Sequence, residues 1–313
     1  MKQQTLTPPP VPTQPRNRLW LTWAALICVY LAWGGTFPAY QVLLRTAPPV
    51  LSMGVRCLLC GGVLCVWIRL CRPADRPLRV SGAQFLGASL IGVLVLGAIA
   101  LTAVAEREVP AGTAALVIGS VPLWVVCLRV AHGERVAAAL WIAVVFGFGG
   151  SAMVILQGAQ SSPPMWMGIM VVAAIMEAAG TFYASRVPRP PEPLRNTAVQ
   201  LLVVGALCVA LSGPAGEWRH LDVGGLSADS LWAFAYLTAG ATLLAYTAFA
   251  WLAANHPPSL VATYAYVNPV VGVIVSWFLL HEALSPGELV GAALTVCSVA
   301  VVVYLESRLP ERR

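Results

Sequence analysis

The sequence predicts an all-α integral membrane protein whose ten transmembrane helices form two inverted repeats of five helices each. Composition is the first reason: 58% of the 313 residues are hydrophobic and 10% are charged, whereas soluble domains carry about 25% charged residues. Segment length is the second, because each apolar segment has the roughly 20 residues of a membrane-crossing helix, twice the length of a barrel strand. The third reason is that motifs of the first half recur in the second half.

Ten apolar segments are long enough to cross the hydrocarbon core of a bilayer. The expected spans cover residues 20–44, 50–70, 82–105, 110–131, 137–157, 166–185, 196–214, 230–254, 259–280 and 286–305. The proline-rich residues 1–19 lack the apolar core and cleavage site of a signal peptide. They are predicted to form a disordered cytoplasmic tail, and residues 306–313 a second one.

The basic residues predict the orientation of the chain. If the amino terminus is cytoplasmic, fifteen of the nineteen Lys and Arg residues lie on the cytoplasmic side. The outer loops then hold only Arg45, Arg107 and Arg219, and Arg56 lies inside the second span. Because cytoplasmic loops are enriched in Lys and Arg, both termini are predicted to be cytoplasmic.

An internal repeat divides the chain into halves. The segment GGTFPA at 34–39 recurs as AGTFYA at 179–184, 145 residues later. The other matching pairs lie 147 or 148 residues apart: Pro110 and Pro257, Pro122 and Pro269, Glu134 and Glu282. The repeats therefore cover about residues 20–157 and 166–305, with five spans each. Because five is odd, the second repeat must enter the membrane in the opposite orientation, as in many secondary transporters.

At these residues the chain resembles the drug/metabolite transporter superfamily, in its ten-helix branch built from two EamA-type domains. The resemblance covers about residues 20–305. It is carried by the segment 33–37 (WGGTF), Arg56, the element from Pro122 to Glu134, its counterpart from Asn268 to Glu282, and Gly291. It implies an inner-membrane carrier, commonly an exporter of amino acids or related small metabolites. One residue departs from the family pattern: Glu177 stands where an apolar or aromatic residue is usual.

Two charged residues lie well inside predicted spans, more than five residues from either end. Glu177 lies near the middle of the sixth span, where a charged carboxylate costs about 2.5–3.5 kcal/mol. It must therefore face a cavity or a partner, or stay protonated, and it is the candidate for proton coupling or for contact with a substrate amine. Arg56 lies about six residues into the second span, so its side chain can snorkel to the interface. For Arg56 a structural role is favoured over substrate binding.

Polar and aromatic side chains at membrane depth are the candidates for a substrate cavity. Aromatic residues three or four apart share one face of the first helix, and hydroxyl and amide groups in the second half need polar partners. An aromatic stripe of this kind is equally compatible with packing against another helix. The cavity candidates are Trp33, Phe37, Tyr40, Glu177, Thr181, Tyr246, Tyr264 and Asn268.

Glycine and proline residues predict breaks in three of the helices. Gly34 and Gly35, followed by Pro38, can loosen the first helix and expose backbone carbonyls to a cavity, although close packing through small residues is the simpler interpretation. Pro122 and Pro269 each remove a backbone donor and free a carbonyl one turn earlier.

The sequence gives little support for an enzyme or a metalloprotein. His281-Glu282 has no second His four residues on to bind a catalytic zinc, and no Walker loop or Gly-x-Ser-x-Gly elbow is present. The eight Cys residues lie in or beside apolar stretches, and the pair Cys57 and Cys60 has too few neighbouring ligands for zinc. No metal, cofactor or nucleic acid is therefore expected.

The predicted function is secondary transport by alternating access, with export of amino acids or related small metabolites as the leading hypothesis. Export of amphipathic drugs or other metabolites is the alternative, and an intramembrane enzyme or an assembly protein is a distant one. The expected partners are a small-molecule substrate, the lipid bilayer and a coupled proton. Substrate identity, direction, coupling ion and oligomeric state are not determined by the sequence.

Overall fold

The computed structural model describes residues 19–71, 80–158, 162–219 and 221–308, and over these ranges the secondary structure is helical. Almost all of the predicted amino-terminal tail and the last residues of the carboxyl-terminal tail lie outside the described residues. The spans observed are Leu19–Leu43, Pro49–Leu70, Gly82–Ala105, Ala111–Ala131, Ala138–Gly158, Pro164–Tyr183, Pro193–Ser212, Ala228–Asn255, Tyr264–Leu280 and Pro286–Ser307. The ninth span is the shortest of them and follows a helical turn at Pro258–Val261.

The predicted ten-helix membrane fold is confirmed. The observed ends lie within three residues of the predicted ones, except that the ninth span begins at Tyr264 and not at residue 259. Several helices begin where the local chemistry favours it. Proline occupies the first turn of the second, sixth and seventh spans. Backbone N–H groups in the first turn have no acceptor within the helix, so the missing N–H of proline costs no hydrogen bond there. Ser81 and Gln84 form a capping box at the start of the third span.

The two halves of the chain interlock, because spans of the first half pack extensively on spans of the second. The second span packs on the seventh and the fifth on the tenth, which are equivalent helices of the two repeats. The first span packs on the eighth and the third on the sixth, and these two contacts are equivalent because the first and third spans are the repeat counterparts of the sixth and eighth. The packing of the spans therefore has approximate twofold symmetry.

Small residues permit the closest of these contacts. A Cβ placed on Gly150 would lie 2.6 Å from the carbonyl oxygen of Gly291, and one on Gly291 would lie 2.7 Å from the carbonyl oxygen of Gly150. The fifth and tenth helices thus meet backbone to backbone, as small residues allow in membranes. Any larger side chain at either position would force them apart.

Four spans depart from regular α-helix. The first is interrupted at Gly35, the fourth between Ile118 and Val121, and the ninth span is separated from its preceding turn at Ala262 and Thr263. The eighth contains a nine-residue π-helical stretch, Tyr236–Leu244. π-Helical segments occur frequently at functional sites, and all four irregular regions lie beside one cavity.

Candidate functional site

A cavity of about 440 Å³ lies between the two halves of the protein. It is lined by side chains of the first four spans and of the sixth to tenth spans. At one extreme it reaches Glu306, in the last turn of the tenth span. We call this end of the bundle, where the first span begins and the tenth ends, the terminal end, and the other the opposite end.

All eight cavity candidates lie on the wall of this cavity, which brings together residues up to 235 positions apart in the sequence. They are Trp33, Phe37, Tyr40, Glu177, Thr181, Tyr246, Tyr264 and Asn268. Pro122 and Pro269 also line it. Two further lining residues were not predicted from the sequence: Thr242 in the π-helical stretch and Glu306 at the terminal end. Arg56 was expected at the interface but also lines the cavity.

An aromatic cluster forms one side of the cavity. The Trp33 ring lies 5.2–5.3 Å, centroid to centroid, from the rings of Tyr246, Phe249 and Tyr264. Its indole N–H donates to the carbonyl oxygen of Ala241 at 3.0 Å. The eighth and ninth spans therefore hold Trp33 in place. The aromatic stripe of the first helix combines the two expected roles of packing and cavity lining.

The glycine pair of the first helix serves packing more than exposure of carbonyls. The carbonyl oxygens of Leu31 and Ala32 accept hydrogen bonds from the hydroxyl of Tyr236, at 2.8 and 3.0 Å. A Cβ on Gly35 would lie 2.5 Å from that hydroxyl oxygen, and one on Gly34 would lie 2.5 Å from the side chain of Val271. Close contacts thus account for the glycine pair, and the carbonyls of Leu31 and Ala32 beside the break are bonded within the protein.

Glu177 is half-buried and lines the cavity. No hydrogen bond or ion pair joins its carboxyl to any other described residue. The amide oxygen of Asn268, on the ninth span, is buried and likewise has no partner within the described ranges. The cavity therefore contains two oxygen groups that a ligand or proton can engage.

Arg56 does not snorkel to the interface, contrary to the expectation from its position in the sequence. The residue is 5% exposed, and its side chain lines the cavity. The guanidinium lies over the ring of Tyr40, 5.2 Å from the ring centroid, and donates to the sulfur of Met53 at 2.9 Å. The first helix covers the side chain and so blocks the path to the interface.

Carboxylates of the second half close the opposite end of the bundle. Glu282 accepts hydrogen bonds from the backbone N–H groups of Ala111 and Gly112, at 3.1 and 3.0 Å. Glu217 accepts from the backbone N–H groups of Val50 and Leu51, at 3.1 and 2.7 Å. Each carboxylate binds the start of a helix from the first half, where backbone donors have no helical partner.

Two further acidic residues lie at the same end. Glu288 accepts a hydrogen bond from the hydroxyl of Thr113 at 3.0 Å. Glu106, just beyond the third span, is 2% exposed, and neither of its carboxylate oxygens has a partner in the described part of the chain. Burial, followed by the nearby Glu282 carboxylate, raises the pKa of Glu106 well above its usual value.

A charged network crosses the terminal end. Glu134 pairs with Arg129 at 2.7 Å and with Arg186 at 2.5 Å, and Arg129 also pairs with Glu306. The hydrogen bond from Arg129 and the charges of both arginines lower the pKa of Glu134. These residues come from the fourth and tenth spans and from the loops after the fourth and sixth spans. The network therefore joins the two halves beside the end of the cavity.

The described cysteines are free thiols, and Cys57 and Cys60 are buried in the interface between the second and seventh spans. Within the described ranges no cluster of three His, Cys, Asp or Glu residues has the arrangement of a metal site.

Ten membrane-spanning helices around a cavity that both halves of the chain line define a polytopic membrane protein of the transporter class. The model of the EamA-like transporter family matches residues 19–156 and again residues 164–304. The chain therefore belongs to this family and contains its domain twice.

Relatives agree with this assignment. The Escherichia coli K12 protein described as "Uncharacterized inner membrane transporter YedA" is 31% identical over 279 residues, 89% of each chain. The Bacillus subtilis protein described as "Uncharacterized transporter YvbV" is 24% identical over 304 residues, 92% of each chain. A protein of known crystal structure matches with a TM-score of 0.63 at 18% identity, over 93% of this chain and 99% of that one. That match shows the fold alone.

Proposed function

We propose that the protein is a secondary transporter of the inner membrane that exports amino acids or related small metabolites by alternating access. The repeats, about residues 20–157 and 166–305, enter the membrane in opposite orientations, and both termini are cytoplasmic. Membership of the family supports transport of a small molecule across a bilayer. The description of the E. coli relative as an inner membrane transporter supports the location.

One observation carries the proposal: the cavity lies between the halves, and its lining runs from Glu306 near the terminal end to Thr102 near the opposite end. Contacts between the halves border both ends. Arg129 pairs with Glu306 at the terminal end, and Glu217 and Glu282 accept hydrogen bonds from backbone N–H groups of the first half at the opposite end. A carrier that opens alternately toward each side of the membrane needs contacts of this kind, which break at one end at a time.

Export of amphipathic drugs is the second candidate, and the aromatic wall favours it. Trp33, Phe249 and Tyr264 present a large apolar surface that suits a hydrophobic compound. The presence of Glu177 on the same wall suits a compound that carries an amine.

Flux into proteoliposomes tests the proposal. A panel of labelled amino acids and amphipathic amines is offered with and without an imposed pH gradient, with protein-free liposomes as the control. We expect uptake of at least one amino acid well above that control. A pathway through the cavity also predicts that the transported compound protects single cysteines at Phe37 and Tyr264 from modification. No flux of any compound by folded protein would overturn the proposal.

A further inference from the structure

The second span carries a cation whose position is unusual for a membrane helix. Arg56 lies about two turns from the start of the helix at Pro49 and faces inward, with its side chain on the cavity wall. Unlike a carboxyl, the guanidinium stays protonated at every physiological pH. Its positive charge therefore has to be stabilised by neighbouring groups or by a ligand.

The groups around Arg56 do not supply a counter-charge. The sulfur of Met53 and the ring of Tyr40 are weak partners. The Nε atom is buried and has no hydrogen-bond partner among the described residues, and within the same ranges no carboxylate lies within ion-pair distance. A buried cation left in this condition is destabilising, and an anion bound in the cavity would supply the missing counter-charge.

The other charged group in the middle of the cavity is not the missing partner. Glu177 forms no ion pair with Arg56, although both side chains line the same cavity. The cavity thus presents a cation on the second span and a carboxyl on the sixth, and Tyr246 of the eighth span lines it as well.

We propose that Arg56 is the anion-binding residue of the cavity and that it binds the carboxylate of the substrate. The planar fork of the guanidinium matches the two oxygens of a carboxylate. This rests on the proposed transport function and selects between its two candidates, because a cationic amphiphile without an acid group would place positive charge beside Arg56.

Pairs of compounds that differ only in the acid group test the assignment in the wild-type protein. We use each apolar and aromatic L-amino acid beside its carboxamide, for example L-phenylalanine and L-phenylalaninamide, and measure exchange in proteoliposomes. Loss of a bidentate charged contact should lower exchange of the amide at least tenfold relative to the acid. Equal exchange of acid and amide would overturn the role of Arg56 while leaving transport itself established.

Variants supply a second, independent measurement. Arg56→Gln should reduce exchange of the acid at least tenfold and abolish the preference for acid over amide. Arg56→Lys, which keeps the charge but not the fork, should retain part of the preference. Arg45→Gln, which removes an exposed arginine at the opposite end, is the matched control. A folded Arg56→Gln protein that keeps the wild-type preference would contradict the proposal, and absence of all exchange by wild type would overturn the transport function and this proposal with it.

Discussion

The carboxylate of Glu282 lies 3.0 Å from the backbone nitrogen of Gly112 and binds the start of a helix in the other half of the chain. Its repeat counterpart, Glu134, has a different arrangement and pairs with Arg129 and Arg186. Two sequence-equivalent carboxylates therefore make inequivalent contacts at the two ends of the bundle. Alternating access requires such an asymmetry, since each repeat must adopt in turn the conformation of the other.

Removing the charge of Glu282 should weaken the closure of the opposite end. Hydrogen bonds to a charged acceptor contribute about 1.5–3 kcal/mol, so loss of about 1.5 kcal/mol in Glu282→Gln would raise the open population about tenfold. A single cysteine at Thr102, on the cavity wall, would then be labelled faster from that side by an impermeant thiol reagent.

The exposed Glu108 provides the control for this experiment. Glu108→Gln removes a charge from the same end but leaves the hydrogen bonds between the two halves in place. Labelling at Thr102 should not change in that variant. If Glu282→Gln is folded and labels at the wild-type rate, the contact with Gly112 does not hold the end closed.

The backbone before each of these carboxylates is left-handed. Gly133 has φ 85°, and His281, its repeat counterpart, has φ 56°. A residue with a side chain pays about 1–2 kcal/mol to adopt this left-handed conformation, whereas glycine does not. Glycine loses more conformational entropy on folding, and this offsets part of its advantage. His281→Gly should therefore stabilise the protein by about 0.5 kcal/mol, and Gly133→Ala should destabilise it by about 1 kcal/mol.

Thermal unfolding in detergent measures both effects. Gly149→Ala is the matched control, because Gly149 is an exposed helical glycine with open space around it, and alanine there should stabilise the helix slightly. A stabilised Gly133→Ala protein would show that the left-handed conformation is not required before Glu134.

Helix positions could be predicted from the sequence because they depend on local properties. The lengths of apolar segments set the spans, and Pro49, Pro164 and Ser81 mark where three of them begin. The start of the ninth span was the least accurate, because a separate helical turn at Pro258–Val261 precedes the helix that begins at Tyr264. The seventh span begins at Pro193, three residues before its predicted start.

The environment of individual polar residues was less predictable, because it depends on which neighbouring helix covers them. Arg56 is near enough to the end of its helix to snorkel, but Tyr40 of the first span lies across its path. Glu106 follows a span directly and so resembles an exposed loop residue, yet it is buried. The π-helical stretch had no distinct sequence signal, and its Ala241 carbonyl accepts a hydrogen bond from Trp33, 208 residues away.

The membrane orientation can be tested with two introduced cysteines. If both termini are cytoplasmic, a cysteine near Gly225 is on the outside and one near Arg189 is on the inside. An impermeant thiol reagent applied to intact cells should label only the first, after the background from native cysteines is subtracted. Labelling at Arg189 alone would reverse the orientation.

Glu106 should make stability depend on pH. Burial and the Glu282 carboxylate raise its pKa in the folded protein, so its neutral form favours folding. This contribution is complete below the unfolded value of about 4.5 and is lost as pH rises through the higher folded value. Glu106→Gln should remove this dependence and unfold at a higher temperature than wild type at pH 8.

Melting temperatures measured from pH 4 to pH 9 give the comparison, and Glu108→Gln is again the exposed control. Wild type and Glu108→Gln should lose stability in parallel as pH rises. If Glu106→Gln has the same slope as these two proteins, the carboxyl of Glu106 does not carry the effect.

Proton coupling through Glu177 makes the last prediction. Its carboxyl lies on the wall of the cavity without a partner in the described part of the chain, so it can exchange a proton with whichever side the cavity faces. Glu177→Gln preserves shape and hydrogen bonding but removes that exchange. Flux driven by a pH gradient should fall at least tenfold, whereas substrate exchange at equal pH should remain largely intact.

Asp229→Asn, which neutralises an exposed carboxylate in the first turn of the eighth span, should leave both measurements unchanged. The two measurements, flux driven by a pH gradient and exchange at equal pH, separate the possible roles of Glu177. Wild-type flux with unchanged pH dependence in Glu177→Gln would make the residue structural and place coupling elsewhere, or show that the carrier is a uniporter. Loss of both driven flux and exchange in a folded protein would instead mean that the carboxylate binds the ammonium group of the substrate directly, because exchange requires binding but no net movement of protons.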